Sequence, residues 1–416
     1  MVEKKQPGKR AAAGKPAAPK RAAPKAKAAA AAPAGPDGGR GLGAVVGQRR
    51  AVGVLRAVLA GGRLANAYLF HGPWGIGKTT TALAFAAALL CPRRGDGGDA
   101  CGACPGCHKS AKVQHPDLRF LFPVSGEEAA LDETIGEALA ALRSDPFHVF
   151  TYEKAASIRI SLTRELLKEL AYKPYEAASR VVVIRDADRM REDQYSALLK
   201  SLEEPGANSV WVLTTSRPER LPATIRSRCL RLRFLPLAEE EIERFLTGRA
   251  GVPAARARLL AAVCAGSLGR ALMWRDEDIR VARDSAVAMM RTATAGDAGR
   301  VLAEASKVAR GWNRETMRRV LEFQILWLRD VLRLRYGGDD EGLVNRDIAA
   351  DLRKTAAAAE VGEVKRRLQV LEEIGRAIEG NVNPEVAFFS GLARLGRLVP
   401  ERADDWPEYG TGRRRG

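Results

Sequence analysis

What this 416-residue chain lacks already narrows it. It has four histidines, and no apolar run approaches the roughly 18–20 residues that a membrane span needs. Six cysteines in a chain of this length are too few for a disulfide scaffold. No Leu/Val-rich stretch follows the N-terminal charges, so a signal peptide is not expected. Internal repeats and a polymerase- or nuclease-type cluster of acids are absent. The first 40 residues lack side chains that could build a core: they are mostly Ala, Lys, Pro and Gly, with six prolines to interrupt helices.

What is present is basic. Lys+Arg number 68 against 50 Asp+Glu, a net charge of +18. Ten of those cations, against only Glu3 and Asp37, lie in residues 1–40, which read as a disordered tail. That tail is either a passive linker or a non-specific phosphate contact. The excess over the rest of the chain leans toward a polyanionic partner or toward a basic solubilising surface. With 46% apolar and 28% charged residues, the body is expected to fold. At roughly 150 residues per domain it has room for two or three domains.

Strand and helix patterns alternate through the first half. Val52, Leu55, Val58 and Leu59 recur at helical spacing, and Ala67–Phe70 is a short apolar strand. Residues 79–91 read as helix, Asp117–Val124 as strand and Thr163–Leu170 as helix. Arg180–Ile184 reads as a buried strand, Asp193–Leu202 as helix and Val210–Thr215 as strand. Residues 125–156 look like a surface insertion. The alternation predicts an α/β fold with a parallel sheet. Beyond about residue 237 only helical patterns remain, among them the stripe Val361, Val364, Leu368, Leu371, Ile374 and Ile378.

The strongest chemical signal is Gly72-Pro73-Trp74-Gly75-Ile76-Gly77-Lys78-Thr79, a full G-x-x-x-x-G-K-[ST] match between a predicted strand and a predicted helix. Glycines let backbone N–H groups turn inward around a phosphate, and the helix N-terminus adds a favourable dipole. Lys78 can then reach the β and γ phosphates and Thr79 can hold Mg²⁺; Thr80 continues the loop. An acid is expected directly after a neighbouring apolar strand. The candidate is Val181–Asp188, where Arg185 stands first and Asp186 second. Alternation along an extended chain would turn Asp186 away from the metal position. ATP or ADP binding is therefore expected and hydrolysis is not.

Cys91, Cys101, Cys104 and Cys107 form two C-x-x-C steps sharing Cys104, a spacing that can close a tetrahedral structural zinc site. A redox pair is the competing reading. His108 follows at once and could replace one ligand. Cys229 and Cys264 are isolated and read as core or near-surface residues.

Together these motifs resemble bacterial clamp-loader subunits of the AAA+ class, the delta-prime type of the DNA polymerase III complex with the gamma/tau type as its relative. The resemblance runs from about Val45 to about Pro400. It rests on Val46-Gly47-Gln48, the phosphate loop, the four cysteines, Ala197-Leu198-Leu199-Lys200-Ser201-Leu202-Glu203-Glu204-Pro205, and Thr224-Ile225-Arg226-Ser227-Arg228-Cys229. It implies an AAA+ P-loop domain over 41–237, with the zinc module at 91–107 and the insertion at 125–156. A helical lid over 238–280, a helical collar over 281–400 and a terminal tail over 401–416 would follow.

By position, Val46 would lie against the adenine, Thr215 would be a sensor of the γ-phosphate, and Arg228 an arginine finger acting in the ATP site of an adjacent subunit. The alternative for Arg228 is a surface salt bridge. Gamma-like subunits have Asp-Glu where this chain has Arg185-Asp186. They also have Gly-Ser-Leu-Arg where this chain has Gly266-Ser267-Leu268-Gly269-Arg270. Both departures favour a delta-prime role over an ATP-hydrolysing gamma/tau-type motor, which would need Asp186 as its working acid. The resemblance further implies delta and gamma/tau subunits as partners, and the sliding clamp and primed DNA reached through the complex. It implies a cytoplasmic place at the replisome, and a polymerase label only by membership of the holoenzyme.

Overall fold

The computed structural model describes residues 40–395, apart from 96, 127–129, 153–155, 204–208, 277–278, 296–298, 301–302, 304–305, 307–311, 313 and 380–381. The expected N-terminal tail up to residue 39 and the C-terminal tail lie outside the described residues. No described helix is long and apolar enough to cross a membrane.

Five strands form one parallel sheet: β1 (Ala67–His71), β2 (Leu118–Leu121), β3 (Arg180–Ile184), β4 (Ser209–Thr215) and β5 (Leu230–Arg233). Their order is β2-β3-β4-β1-β5. Side chains alternate across it. Tyr68, Phe70, Val181, Val183, Val210 and Val212 face one apolar cluster with helices α1 (Arg49–Gly61) and α2 (Lys78–Leu90). Ala67, Leu69, Val182, Ile184, Trp211 and Leu213 face the other. That second face is covered by α5 (Ile160–Glu169), α6 (Glu192–Glu203) and α7 (Ala223–Arg228). Because both faces are covered, β3 and β4 are buried along their whole length, which is why their sequences are continuous apolar runs rather than alternating ones.

Two elements were not legible in advance. β5 is an edge strand in which only Leu232 is buried, so its Leu-Arg-Leu-Arg sequence carries little strand signal. Within the 125–156 insertion, α4 (Leu131–Ser144) lies over a small core of its own, built by Phe122, Val124, Leu131, Leu142 and Phe150. An isolated antiparallel bridge between Val124 and Ser157 closes its neck. Between α2 and β2 in sequence, α3 (Pro105–Ala111) carries part of the cysteine cluster.

Beyond β5 the described residues form helices and the turns between them. They include α8 (Glu239–Gly248), α9 (Ala254–Val263), α10 (Leu268–Trp274), α11 (Ile279–Ala295), α12 (Arg314–Arg335), α13 (Ala349–Ala358), α14 (Val361–Glu379) and α15 (Pro384–Leu395). One continuous apolar cluster runs through them from Leu237 to Leu395. In the α14 stripe, Val364, Leu371, Ile374 and Ile378 are buried and Leu368 packs against them; Trp327 of α12 is buried in the same cluster. The apolar stripe of α14 is thus covered by other helices of this chain.

Candidate functional site

The phosphate-loop sequence leaves β1 at His71 and enters α2 at Lys78. Gly77 caps α2 at φ 95°, in the left-handed region that a side chain would strain. Gln48 braces the loop from behind. It is buried, and its amide donates to the carbonyls of Ile76 (3.1 Å) and Leu235 (2.8 Å). The Val-Gly-Gln motif and the loop therefore form one unit. Lys78 is 6% exposed. Its ammonium donates to the carbonyls of Gly72 (2.7 Å) and Pro73 (2.5 Å) and to the hydroxyl of Ser216 (3.1 Å), all of them neutral groups. Burial pulls its pKa down from 10.5 to about 8 against the pull of Asp186. A buried cation satisfied only by neutral acceptors suits an incoming anion.

The cleft over this loop is lined by Val46 and by the run from Trp74 to Thr80. Opposite them stand Phe147, His148 and Phe150 of the insertion, and Leu268, Gly269 and Leu272 of the helical region. The insertion is therefore a wall of the cleft, a role its acidic, alanine-rich sequence did not signal. Gly72 and Pro73 contribute through the carbonyls that hold Lys78.

Arg185 and Asp186 also line the cleft. The chain does not stay extended past β3. Asp186 turns left-handed at φ 47°, and its carboxylate comes back to 3.3 Å from the Arg185 guanidinium. The expectation that Asp186 faces away fails for this reason: strand alternation ends one residue earlier. Arg185 is 5% exposed, stacks on the Phe150 ring at 4.4 Å and donates to the Tyr152 hydroxyl. Thr215, the sensor candidate, donates its hydroxyl to Asp188 at 2.6 Å, and burial raises the Asp188 pKa. Asp188 and Ser216 were not singled out beforehand. The second acid of Asp-Ala-Asp and the residue after β4 were the available signals.

A hydrated magnesium ion fits this donor set poorly. Thr79 offers its hydroxyl from the loop, but a guanidinium occupies the strand end where an acid is needed, and Asp186 is paired to it.

The helical region touches the loop directly. The Gly269 N–H donates to the Gly75 carbonyl at 2.8 Å. The Arg318 guanidinium of α12 lies 5.3 Å from the Trp74 ring. Arg270 turns away from the loop to Glu322 of α12, at 3.0 Å, and to the Cys264 carbonyl. The one-place shift of this arginine thus puts a glycine at the contact. A Cβ on Gly269 would meet the Gly75 Cα at 2.9 Å, backbone against backbone. Gly269→Ala is therefore expected to cost about 1–3 kcal/mol, read as a lowered urea midpoint with unchanged slope.

Arg228 ends α7, exposed, and is not among the residues lining the cleft. It pairs with Glu203 at the end of α6 and donates to the Thr224 carbonyl at 3.0 Å. The Leu-Glu-Glu and Ser-Arg-Cys strings therefore touch.

The four cysteines converge. Their sulfurs all lie within 4.8 Å of one another, with Cys91–Cys104 at 3.9 Å and Cys101–Cys107 at 3.8 Å. A tetrahedral site with bonds of about 2.3 Å sets its sulfurs about 3.8 Å apart. Pro105 starts α3, and the Cys104 sulfur caps it by accepting the Cys107 N–H at 3.4 Å; the Cys91 sulfur accepts the Cys101 N–H at 3.4 Å. Backbone N–H bonds from Ala103 and Cys104 draw the Cys101 pKa down to about 6. The cluster could hold a metal ion. His108 is exposed and outside it. Cys229 and Cys264 are buried, and burial pushes both up to about 11.

The sequence profile described as "DNA polymerase III, delta subunit" matches residues 47–238, and "DNA polymerase III, delta subunit, C terminal" matches 302–396. The delta' subunit of DNA polymerase III from Pseudomonas aeruginosa is 30% identical over 297 residues, covering 71% of this chain and 79% of that protein. The delta' subunit from Bacillus subtilis is 25% identical over 337 residues, covering 81% of this chain and 92% of that one. The tau subunit of Escherichia coli is 30% identical over 240 residues. There the match covers 56% of this chain but 32% of the relative.

Proposed function

Because this chain belongs to the DNA polymerase III delta-prime family, we propose that it serves as the delta-prime-type subunit of a clamp loader. It would help place a ring-shaped clamp on primed DNA during replication. Family membership carries this reading: the delta' relatives match 71% and 81% of the chain and the C-terminal family profile matches residues 302–396, whereas the tau match covers 56% of the chain. Its partners are then delta- and gamma/tau-type subunits, with clamp and primed DNA reached through the complex.

Within that complex the chain contributes Arg228 in trans. The exposure of Arg228 and its separation from this chain's own cleft support that role. The cleft itself binds ATP or ADP through Lys78 and the glycine loop. Turnover is weak or absent, since Arg185 stands where a working metal acid would be. The four thiols hold a structural zinc ion that keeps the 91–107 loop closed; with four protein ligands no position is left for substrate.

The test is reconstitution. Mixed with delta- and gamma/tau-type subunits, this chain should elute in one complex with them, and omitting it should abolish clamp loading on primed DNA. Full loading without it would refute the assignment.

A further inference from the structure

Arg185 is costly where it stands. A guanidinium 5% exposed has lost its water and must be repaid by fixed neighbours. It has three: the Asp186 carboxylate at 3.3 Å, the Phe150 ring at 4.4 Å and the Tyr152 hydroxyl. Two of these come from the insertion, which the sheet does not need for its own core: Phe150 belongs to the insertion's separate apolar cluster. The guanidinium is therefore held rigidly, on the wall it shares with Lys78 and Thr79.

The position is also specific. β3 pairs with β4, and β4 pairs with β1, the strand that feeds the loop. The residue directly after β3 is where a P-loop site supports its hydrated metal. Of the acids nearby, Asp186 is paired to Arg185 and Asp188 accepts the Thr215 hydroxyl. A dication beside a fixed guanidinium would be repelled, whereas a phosphate would be attracted, and the planar fork matches phosphate oxygens.

We propose that Arg185 takes the place of the metal: the cleft holds the phosphates of a nucleoside di- or triphosphate between two side-chain cations, Lys78 and Arg185, and binds nucleotide without magnesium. This rests on the reading that the cleft is a nucleotide site. It also gives the insertion a task, which is to hold Arg185 in place through Phe150 and Tyr152.

The test is equilibrium titration of the purified full-length chain with fluorescently labelled ADP and ATP, once in EDTA and once in magnesium chloride. Wild-type affinity in EDTA is expected to match or exceed that in magnesium chloride. Arg185→Gln, checked for folding by circular dichroism and its melting temperature, should bind about tenfold or more weakly in both. Arg185→Asp should bind poorly in EDTA and regain affinity with magnesium. Should Arg185→Gln fail to fold, Arg185→Lys, which keeps the charge and loses the fork, should weaken binding equally in both conditions. Wild-type binding that requires magnesium would overturn the inference while leaving the nucleotide site standing. So would metal-free binding undiminished in a folded Arg185→Gln, which would make Arg185 a pin for the insertion alone. No binding in either condition would overturn the nucleotide reading itself.

Discussion

Replacing Arg228 by alanine should lower the DNA-stimulated ATP hydrolysis of the assembled clamp loader by about a thousandfold or more at the site it serves, because an arginine finger is worth that much to the phosphoryl transition state. Hydrolysis summed over all sites falls by that site's share, so single-turnover measurement on a complex with one competent site gives the cleanest number. The melting temperature of the isolated chain should barely move, since an exposed side chain at a helix end contributes at most about 0.5 kcal/mol. Lysine should not rescue the loss, as it lacks the planar fork. The ion pair with Glu203 supplies the control. If Arg228 mattered only as half of a surface salt bridge, Glu203→Gln would reproduce its effect. As a finger acting elsewhere, it should keep most of its activity without Glu203.

Stripping the metal from the cysteine cluster should destabilise the chain by about 3 kcal/mol or more, because metal binding at such sites is coupled to folding. In a chain of this size that corresponds to a fall in melting temperature of about 3–4 °C or more. Metal analysis of the purified protein should return one zinc per chain, and Cys104→Ser should match the chelated wild type. The sulfur spacings of 3.8 and 3.9 Å and the two backbone N–H bonds to sulfur motivate this. If the protein contained no metal, and mild oxidation removed two thiols without a change in melting temperature, the cluster would be a redox pair instead.

Much of the fold was legible because its signals are local. The glycine loop between an apolar strand and an alanine-rich helix is a contiguous pattern, as is the run Arg180–Ile184, whose bounds agree with β3. The four cysteines announced their cluster by spacing. What escaped depends on tertiary context. β5 hid because an edge strand with one buried residue needs no apolar run. The insertion read as surface because α4 offers mostly half-buried and exposed positions; its few large apolar side chains find partners only across the chain, in Phe122 and Val124. The turn of Asp186 toward Arg185 could not come from alternation, which presumes an extended backbone, whereas φ there is 47°. Gly269 looked like a displaced sensor arginine and nothing more, until the close approach of Gly75 gave its missing side chain a reason.

The chain is expected to bind nucleotide without turning it over, serving its neighbours instead. The most direct test is equilibrium binding of labelled ATP to the purified chain beside its steady-state ATP hydrolysis, with and without primed DNA. Saturable binding at one site, lost in Lys78→Ala, with no turnover above background in either condition, is the expected result. Hydrolysis that primed DNA stimulates and Lys78→Ala abolishes would contradict it, and would make Asp186 or Asp188 the working acid of a motor subunit.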